Sequence, residues 1–111
     1  RGAAKVARTV ADSPLVKTAV HGHDPNWGRI AAAVGRSGAR VSPPKLAIRI
    51  GGISVYKAGQ PVRFTEKAVS DRMARPEVTI DIDLGLGQAA CEVLGCDLSR
   101  EYITINADYT T

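Results

Sequence analysis

Apolar residues recur at helical spacing in the opening segment "RGAAKVARTV", with basic residues on the opposite side. The apolar positions are Ala3, Val6, Ala7 and Val10. This pattern predicts a first helix. The helix should end before Pro14, because the residue that precedes a proline is pushed out of the helical region. Residues 15–20 fit no single type of element.

A second helix is predicted from the capping signals in "HGHDPNWGRI". The Asp24 carboxylate can accept hydrogen bonds from the first amides of a helix, and Pro25 suits the first helical position. We expect this helix to run to about Gly35, with Trp27 and Ile30 anchoring it to the core. The following "RSGARVSPPK" has the composition of a loop.

The pattern then changes from helical to alternating, which predicts strands. "KLAIRI" and "ISVYKAG" indicate two strands joined by a tight turn at Gly51 and Gly52. A short helix should follow from about Glu66 to Met73, with Thr65 as its cap and Pro76 beyond its end.

The clearest alternation lies in "EVTIDIDL", which predicts a strand with one apolar and one polar face. The inward residues are Val78, Ile80, Ile82 and Leu84. "QAACEVLG" and "EYITINADY" indicate two more extended segments. Helices followed mainly by strands predict an α+β fold, with N-terminal helices packed on a mostly antiparallel, roll-like sheet of about five strands.

Length and composition fit one domain, residues 1–111, with an aliphatic core: 44% of the residues are hydrophobic and 5% aromatic. No apolar run is long enough for a membrane span, and no signal-peptide pattern opens the chain. Fifteen Lys and Arg against eleven Asp and Glu give a net charge of +4. A basic nucleic-acid-binding module is therefore an alternative function, which salt-dependent retention on DNA would test.

Several reactive side chains have simpler structural interpretations. His21 and His23 could supply only two ligands, whereas a zinc site needs three or four, so we expect them in an exposed turn. Cys91 and Cys96 do not form a disulfide framework and should be reduced. Arg29 is either a surface charge or the partner of an acidic group elsewhere. The sequence does not indicate a nucleophilic triad, because no serine has an identifiable base.

The segment "GLGQAA", residues 85–90, matches a dinucleotide-binding fingerprint that follows a strand. A dinucleotide-binding module that uses Gly85 and Gly87 would need a helix from Gln88 and a parallel strand pair. The preceding strand alternates with polar residues, which instead favours a hairpin turn.

Several longer segments resemble a known family. "SPLVKTAVHGHDPNWGRIAAAVG" and "CDLSREYITINADYTT", with the glycine-marked strands between them, are similar to the C-terminal part of the ornithine acetyltransferase family. These are the bifunctional glutamate N-acetyltransferases of arginine biosynthesis. The resemblance runs through nearly the whole chain in the same order.

The resemblance implies a cytoplasmic acyltransferase made as a precursor that cleaves itself before an internal threonine. That threonine becomes the N-terminal nucleophile of a β chain, takes acetyl from N-acetylornithine and passes it to glutamate. The implied partners are the α chain and the rest of the β chain in an αβ hetero-oligomer, with no nucleic acid and no membrane. No cofactor or metal is implied, although bifunctional members can use acetyl-CoA as acetyl donor.

The resemblance places no catalytic residue in this chain, because Thr9 and Thr18 lie in segments similar to later parts of the β chain. It places two substrate-binding residues, Asn106 and Thr111, near the end. Five residues of extended chain reach about 17 Å, so both can contact one amino acid only if the chain turns near residues 108–110. Because the resemblance places the catalytic residues elsewhere in the enzyme, the chain alone should transfer no acetyl group.

Overall fold

The computed structural model describes residues 2–87, 89–96 and 101–104, with backbone only for Cys96 and residues 101–104. This part of the chain contains four α-helices, one 3-10 turn and six strands. The elements are α1 (Gly2–Asp12), α2 (Pro14–His21), α3 (Trp27–Arg36), a 3-10 turn (Pro43–Lys45), β1 (Ala47–Ile50), β2 (Ile53–Lys57), β3 (Gln60–Pro61), α4 (Glu66–Met73), β4 (Glu77–Asp83), β5 (Ala90–Cys96) and β6 (Glu101–Thr104).

The strands form a single antiparallel sheet in the order β3-β2-β1-β4-β5-β6. The predicted α+β fold is therefore confirmed, and the sixth strand is the two-residue β3 at one edge. Pro61 belongs to this edge strand, a position where a missing backbone N–H costs no ladder hydrogen bond. Strand β6 lies at the other end of the order.

Alternation along the strands gives the sheet two chemically different faces. The covered face packs against the helices, and its buried side chains include Ile48, Ile50, Val55, Val78, Ile80, Ile82, Cys91 and Val93. The open face carries exposed or half-buried side chains, among them Arg49, Glu77, Thr79, Asp81, Asp83, Glu92 and Leu94. The inward residues predicted for β4 are all buried, as is Leu84 just beyond the strand.

Helix α1 forms the layer above the sheet together with α2 and α3. Its predicted apolar stripe is confirmed, because Ala3, Val6, Ala7 and Val10 are at most 3% exposed. Residues 15–20, which the sequence left unassigned, belong to α2. This helix begins at Pro14 because the Ser13 hydroxyl accepts a hydrogen bond from the Val16 amide at 3.3 Å.

The predicted start of α3 was two residues early. Asn26, not Asp24, is the cap, and its side-chain oxygen accepts a hydrogen bond from the Arg29 amide at 3.1 Å. The Asn26 and Trp27 amides donate to the carbonyls of Asp24 and Pro25, two residues back, at 2.7 and 3.0 Å. This tight turn keeps Pro25 out of the helix.

The hairpin between β1 and β2 and the position of α4 are as predicted. Gly51 and Gly52 have φ angles of 57° and 83°, which are the values that a primed two-residue turn requires. Helix α4 spans the predicted residues and has Thr65 at its cap position, although that side chain makes no capping hydrogen bond.

Candidate functional site

The two predicted substrate-binding residues, Asn106 and Thr111, lie outside the described residues, as does the turn predicted at residues 108–110. Strand β6 is the described element nearest to them in sequence. It pairs with β5 from Glu101, opposite Gly95, to Thr104, opposite Glu92. The described structure therefore reaches to two positions before Asn106.

A row of polar side chains crosses the open face at the level of Thr104. Arg49 on β1 stands opposite Asp81 on β4, and Asp81 stands opposite Glu92 on β5. Residues directly opposite each other in antiparallel strands share a face and lie close together. The Arg49 Nη2 and Asp81 Oδ2 atoms are 4.0 Å apart, which makes a loose ion pair.

Two carboxyl groups are neighbours in this row. Burial raises the pKa of Glu92, and the charge of Asp81 and a hydrogen bond to Asp81 raise this pKa further. A hydrogen bond between two carboxyl groups needs a proton on one of them, so the interaction favours the protonated form of Glu92. The Glu92 carboxyl in this row therefore binds a proton more tightly than an isolated glutamate does.

A cleft of about 510 Å³ on the sheet surrounds the row. Its polar lining residues are Arg49, Ser54, Lys57, Asp81, Asp83 and Glu92. Both signs of charge face this space, which suits recognition of a zwitterionic or amide-containing molecule. The alternating pattern predicted the polar side of β4. It did not predict that Asp81 stands between Arg49 and Glu92. The turn that contains Gly85 and Gly87 pairs Asp83 with Ala90. Counting two residues along each strand away from that pair would have placed Glu92 opposite Asp81.

The "HGHDPNWGRI" segment is structural. The Arg29 Nη1 donates to the Leu15 carbonyl at 3.0 Å and ties α3 to α2. Trp27 packs on Tyr56 with ring centroids 5.2 Å apart. His21 is exposed, and the His23 carbonyl accepts a hydrogen bond from the Ser70 hydroxyl at 2.9 Å.

The described residues contain no group of three or more His, Cys, Asp or Glu side chains that could hold a metal ion. Cys91 is a free thiol on the covered face. Burial, and secondarily the charge of Asp81, raises the pKa of this thiol from 9.0 to about 12, so it is protonated and unreactive at neutral pH. The side chain of Cys96 lies outside the described part.

The dinucleotide-binding hypothesis for "GLGQAA" is wrong. Strands β4 and β5 on either side of this segment are antiparallel and paired in register from Glu77 to Asp83, which makes the segment a hairpin connection. Gly85 and Gly87 have positive φ angles of 77° and 56°. The Gly85 amide donates to the Asp83 carboxylate at 2.8 Å, a contact that closes the turn.

Within the described residues, no helix is long and apolar enough to cross a membrane.

Comparison with known proteins agrees with the resemblance seen in the sequence. The family model described as "ArgJ family" matches residues 1–111. The Arginine biosynthesis bifunctional protein ArgJ of Deinococcus radiodurans is 54% identical over 105 residues, which cover 95% of this chain and 27% of that protein. The protein of the same name from Parasynechococcus marenigrum is 51% identical over 109 residues, 98% of this chain and 27% of the relative.

A solved structure shows the same fold. The crystal structure of Arginine biosynthesis bifunctional protein argJ from Bacillus halodurans aligns with a TM-score of 0.77 and 39% sequence identity, covering 86% of this chain and 46% of that one. The chain thus spans about a quarter of the length of the curated relatives it matches. Because the family model matches every residue, the chain belongs to the ArgJ family.

Proposed function

We propose that this chain is the C-terminal part of the β chain of a cytoplasmic acetyltransferase of arginine biosynthesis. The whole enzyme moves acetyl from N-acetylornithine to glutamate through an acetyl-threonine intermediate, after self-cleavage of its precursor. Support comes from the family match over all 111 residues and from relatives named as arginine biosynthesis bifunctional proteins. The α chain and the rest of the β chain are the proposed partners.

The reacting threonine belongs to another part of the precursor. Thr9 and Thr18, on α1 and α2, are poor candidates because each hydroxyl donates to the backbone carbonyl four residues earlier, at 2.9 and 2.8 Å. An N-terminal threonine is activated by its own free amine, which a residue inside a helix does not have. We therefore propose that the isolated chain is inactive.

The part played by this chain is substrate binding by Asn106 and Thr111. One observation carries this proposal: β6, the last strand in the described sheet order, reaches Thr104 beside the polar row, two positions before Asn106. An amide can donate and accept, and a hydroxyl beside a terminal carboxylate can hold a substrate ammonium group.

A chimaera tests this assignment. These 111 residues would replace the matching quarter of the Deinococcus radiodurans relative, and acetyl transfer from N-acetylornithine to glutamate would be measured. We expect Asn106→Ala to raise KM for N-acetylornithine about tenfold, the effect of losing roughly 1.4 kcal/mol of hydrogen bonding to a charged group.

The matched control is Gln60→Ala, which removes an exposed amide from β3 at the opposite edge of the sheet and should leave KM unchanged. An unchanged KM in the Asn106→Ala chimaera would contradict the proposed role.

A further inference from the structure

We propose that the covered face of the sheet holds a binding site for a carboxylate with a hydrocarbon tail, in a cavity beside Gly95. This space, the Gly95 cavity, has a volume of about 410 Å³ and is lined by residues of α1, α2, β4 and β5. Its volume is within the range of roughly 300–1,000 Å³ that small-molecule sites occupy. The proposed site goes beyond acetyl transfer and does not depend on Asn106 or Thr111.

A glycine on the covered face of β5 leaves the space for this cavity. Gly95 stands opposite Val78 of β4, and alternation puts it on the same face as Val93. A Cβ at Gly95 would lie 3.5 Å from Cγ1 of Val20 and 3.5 Å from Cγ1 of Val78, which is ordinary van der Waals contact. A side chain would therefore fit at this position, and the glycine leaves its volume empty. Glycine weakens the interior of a strand and often marks the close approach of a ligand.

The walls of the Gly95 cavity are apolar. Strands β4 and β5, helices α1 and α2 and the end of α4 all contribute to them. The wall side chains Val10, Val16, Met73, Ile80 and Val93 are each at most 4% exposed. They offer no strong hydrogen-bonding group, so they favour a hydrocarbon chain over a polar molecule.

The ionisable residues of the lining are all basic. Lys17, His21 and Arg75 are exposed, and no Asp or Glu is among the lining residues that the structure describes. The Arg75 guanidinium forms no ion pair within the described part of the chain, and a guanidinium can bind a carboxylate through two parallel N–H···O bonds. The Thr18 hydroxyl already donates to the Pro14 carbonyl at 2.8 Å. An apolar space with a cationic edge thus favours an amphipathic anion that pairs with Arg75.

Isothermal titration calorimetry of octanoate into the chimaera tests the proposal. We expect saturable binding of one octanoate per chain, with Kd on the order of 0.1 mM. Hexanoate should bind about fifteenfold more weakly, because it buries two fewer CH₂ groups. Octan-1-ol, which has the tail without the charge, should bind about tenfold more weakly than octanoate.

Two variants of the chimaera separate the tail from the charge. Gly95→Val fills part of the cavity with a good strand former, so it should weaken octanoate binding at least about tenfold and abolish octan-1-ol binding. Arg75→Gln should weaken octanoate binding about tenfold and leave octan-1-ol binding unchanged. Arg63→Gln is the matched control, because it removes an exposed arginine that does not line the cavity, and it should leave both Kd values unchanged.

Thermal unfolding of each variant checks that it is folded. Gly95→Ala replaces the valine variant if that variant does not fold, because its Cβ makes only ordinary contacts, and it should weaken octanoate binding about fourfold.

Four results would each overturn the proposed site. They are no saturable octanoate binding, equal Kd values for hexanoate and octanoate, octanoate binding that a folded Gly95 variant leaves unchanged, and octanoate binding that Arg75→Gln leaves unchanged. The first three would mean that the Gly95 cavity does not hold the hydrocarbon tail. The fourth would mean that Arg75 does not bind the carboxylate.

Discussion

The two faces of the sheet use alternate residues of the same strands for different purposes. On β4, Ile80 and Ile82 are 1% exposed on the covered face, while Asp81 between them lies on the open face. On β5, Val93 is buried and its neighbour Glu92 is in the polar row. The period of two lets a short chain build its core and a polar surface from one set of strands.

The two faces contribute different interactions to the fold. The covered face contributes apolar burial, which depends on volume and packing. The open face contributes a polar row whose last member, Glu92, stands opposite Thr104. Substitutions on the two faces should therefore have effects of different size and kind.

The largest expected effect is on the covered face. Ile80→Ala removes a buried side chain from the central strand β4 and should lower the free energy of unfolding by about 3 kcal/mol. Thr79→Ala, one residue away on the open face, should lower it by less than about 1 kcal/mol. Urea unfolding of the 111-residue chain measures both, and similar losses in the two variants would contradict the division between the faces.

A smaller, pH-dependent effect is expected on the open face. Because the pKa of Glu92 is raised above 4.5 in the folded chain, its protonated form stabilises the fold at low pH. That contribution is lost as the pH rises through the folded-state pKa. Glu92→Gln, which has no charge to lose, should be more stable than the parent chain at pH 7 by about 0.5 kcal/mol, roughly the cost of like charges on opposite strand positions.

Near pH 3 the stability difference between Glu92→Gln and the parent chain should disappear, because the parent carboxyl is then protonated in both the folded and unfolded states. Urea unfolding at the two pH values checks this, with Glu77→Gln as the control for removing one negative charge from the same face. A parent chain more stable than Glu92→Gln at pH 7 would show that the two carboxyl groups do not repel each other.

Much of the fold follows from local sequence patterns. The α1 stripe, the Gly51-Gly52 turn, α4 and the alternation of β4 are set by residues within a few positions of one another. Helix α3 begins later than predicted because Asn26, and not Asp24, caps it. The tight turn at Pro25 places Asn26 in the cap position. Propensities alone do not rank two capping residues so close together.

The polar row on the open face was harder to predict from the sequence than the fold. The row from Arg49 through Asp81 to Glu92 joins three strands, and its residues are up to 43 positions apart, so only the register brings them together. His21 and His23 are of a residue type that binds metals, yet their segment caps α3 and ties it to α2. The proposed roles of Asn106 and Thr111 rest on the family resemblance and not on any local pattern.

The most direct test of the central claim, that this chain supplies substrate contacts but no reacting group, is acetyl transfer by the isolated chain and by the chimaera. Formation of N-acetylglutamate from N-acetylornithine and glutamate would be followed for both proteins at equal concentration. We expect turnover from the chimaera and none from the isolated 111 residues. Turnover by the isolated chain, or a folded chimaera without activity, would contradict the claim.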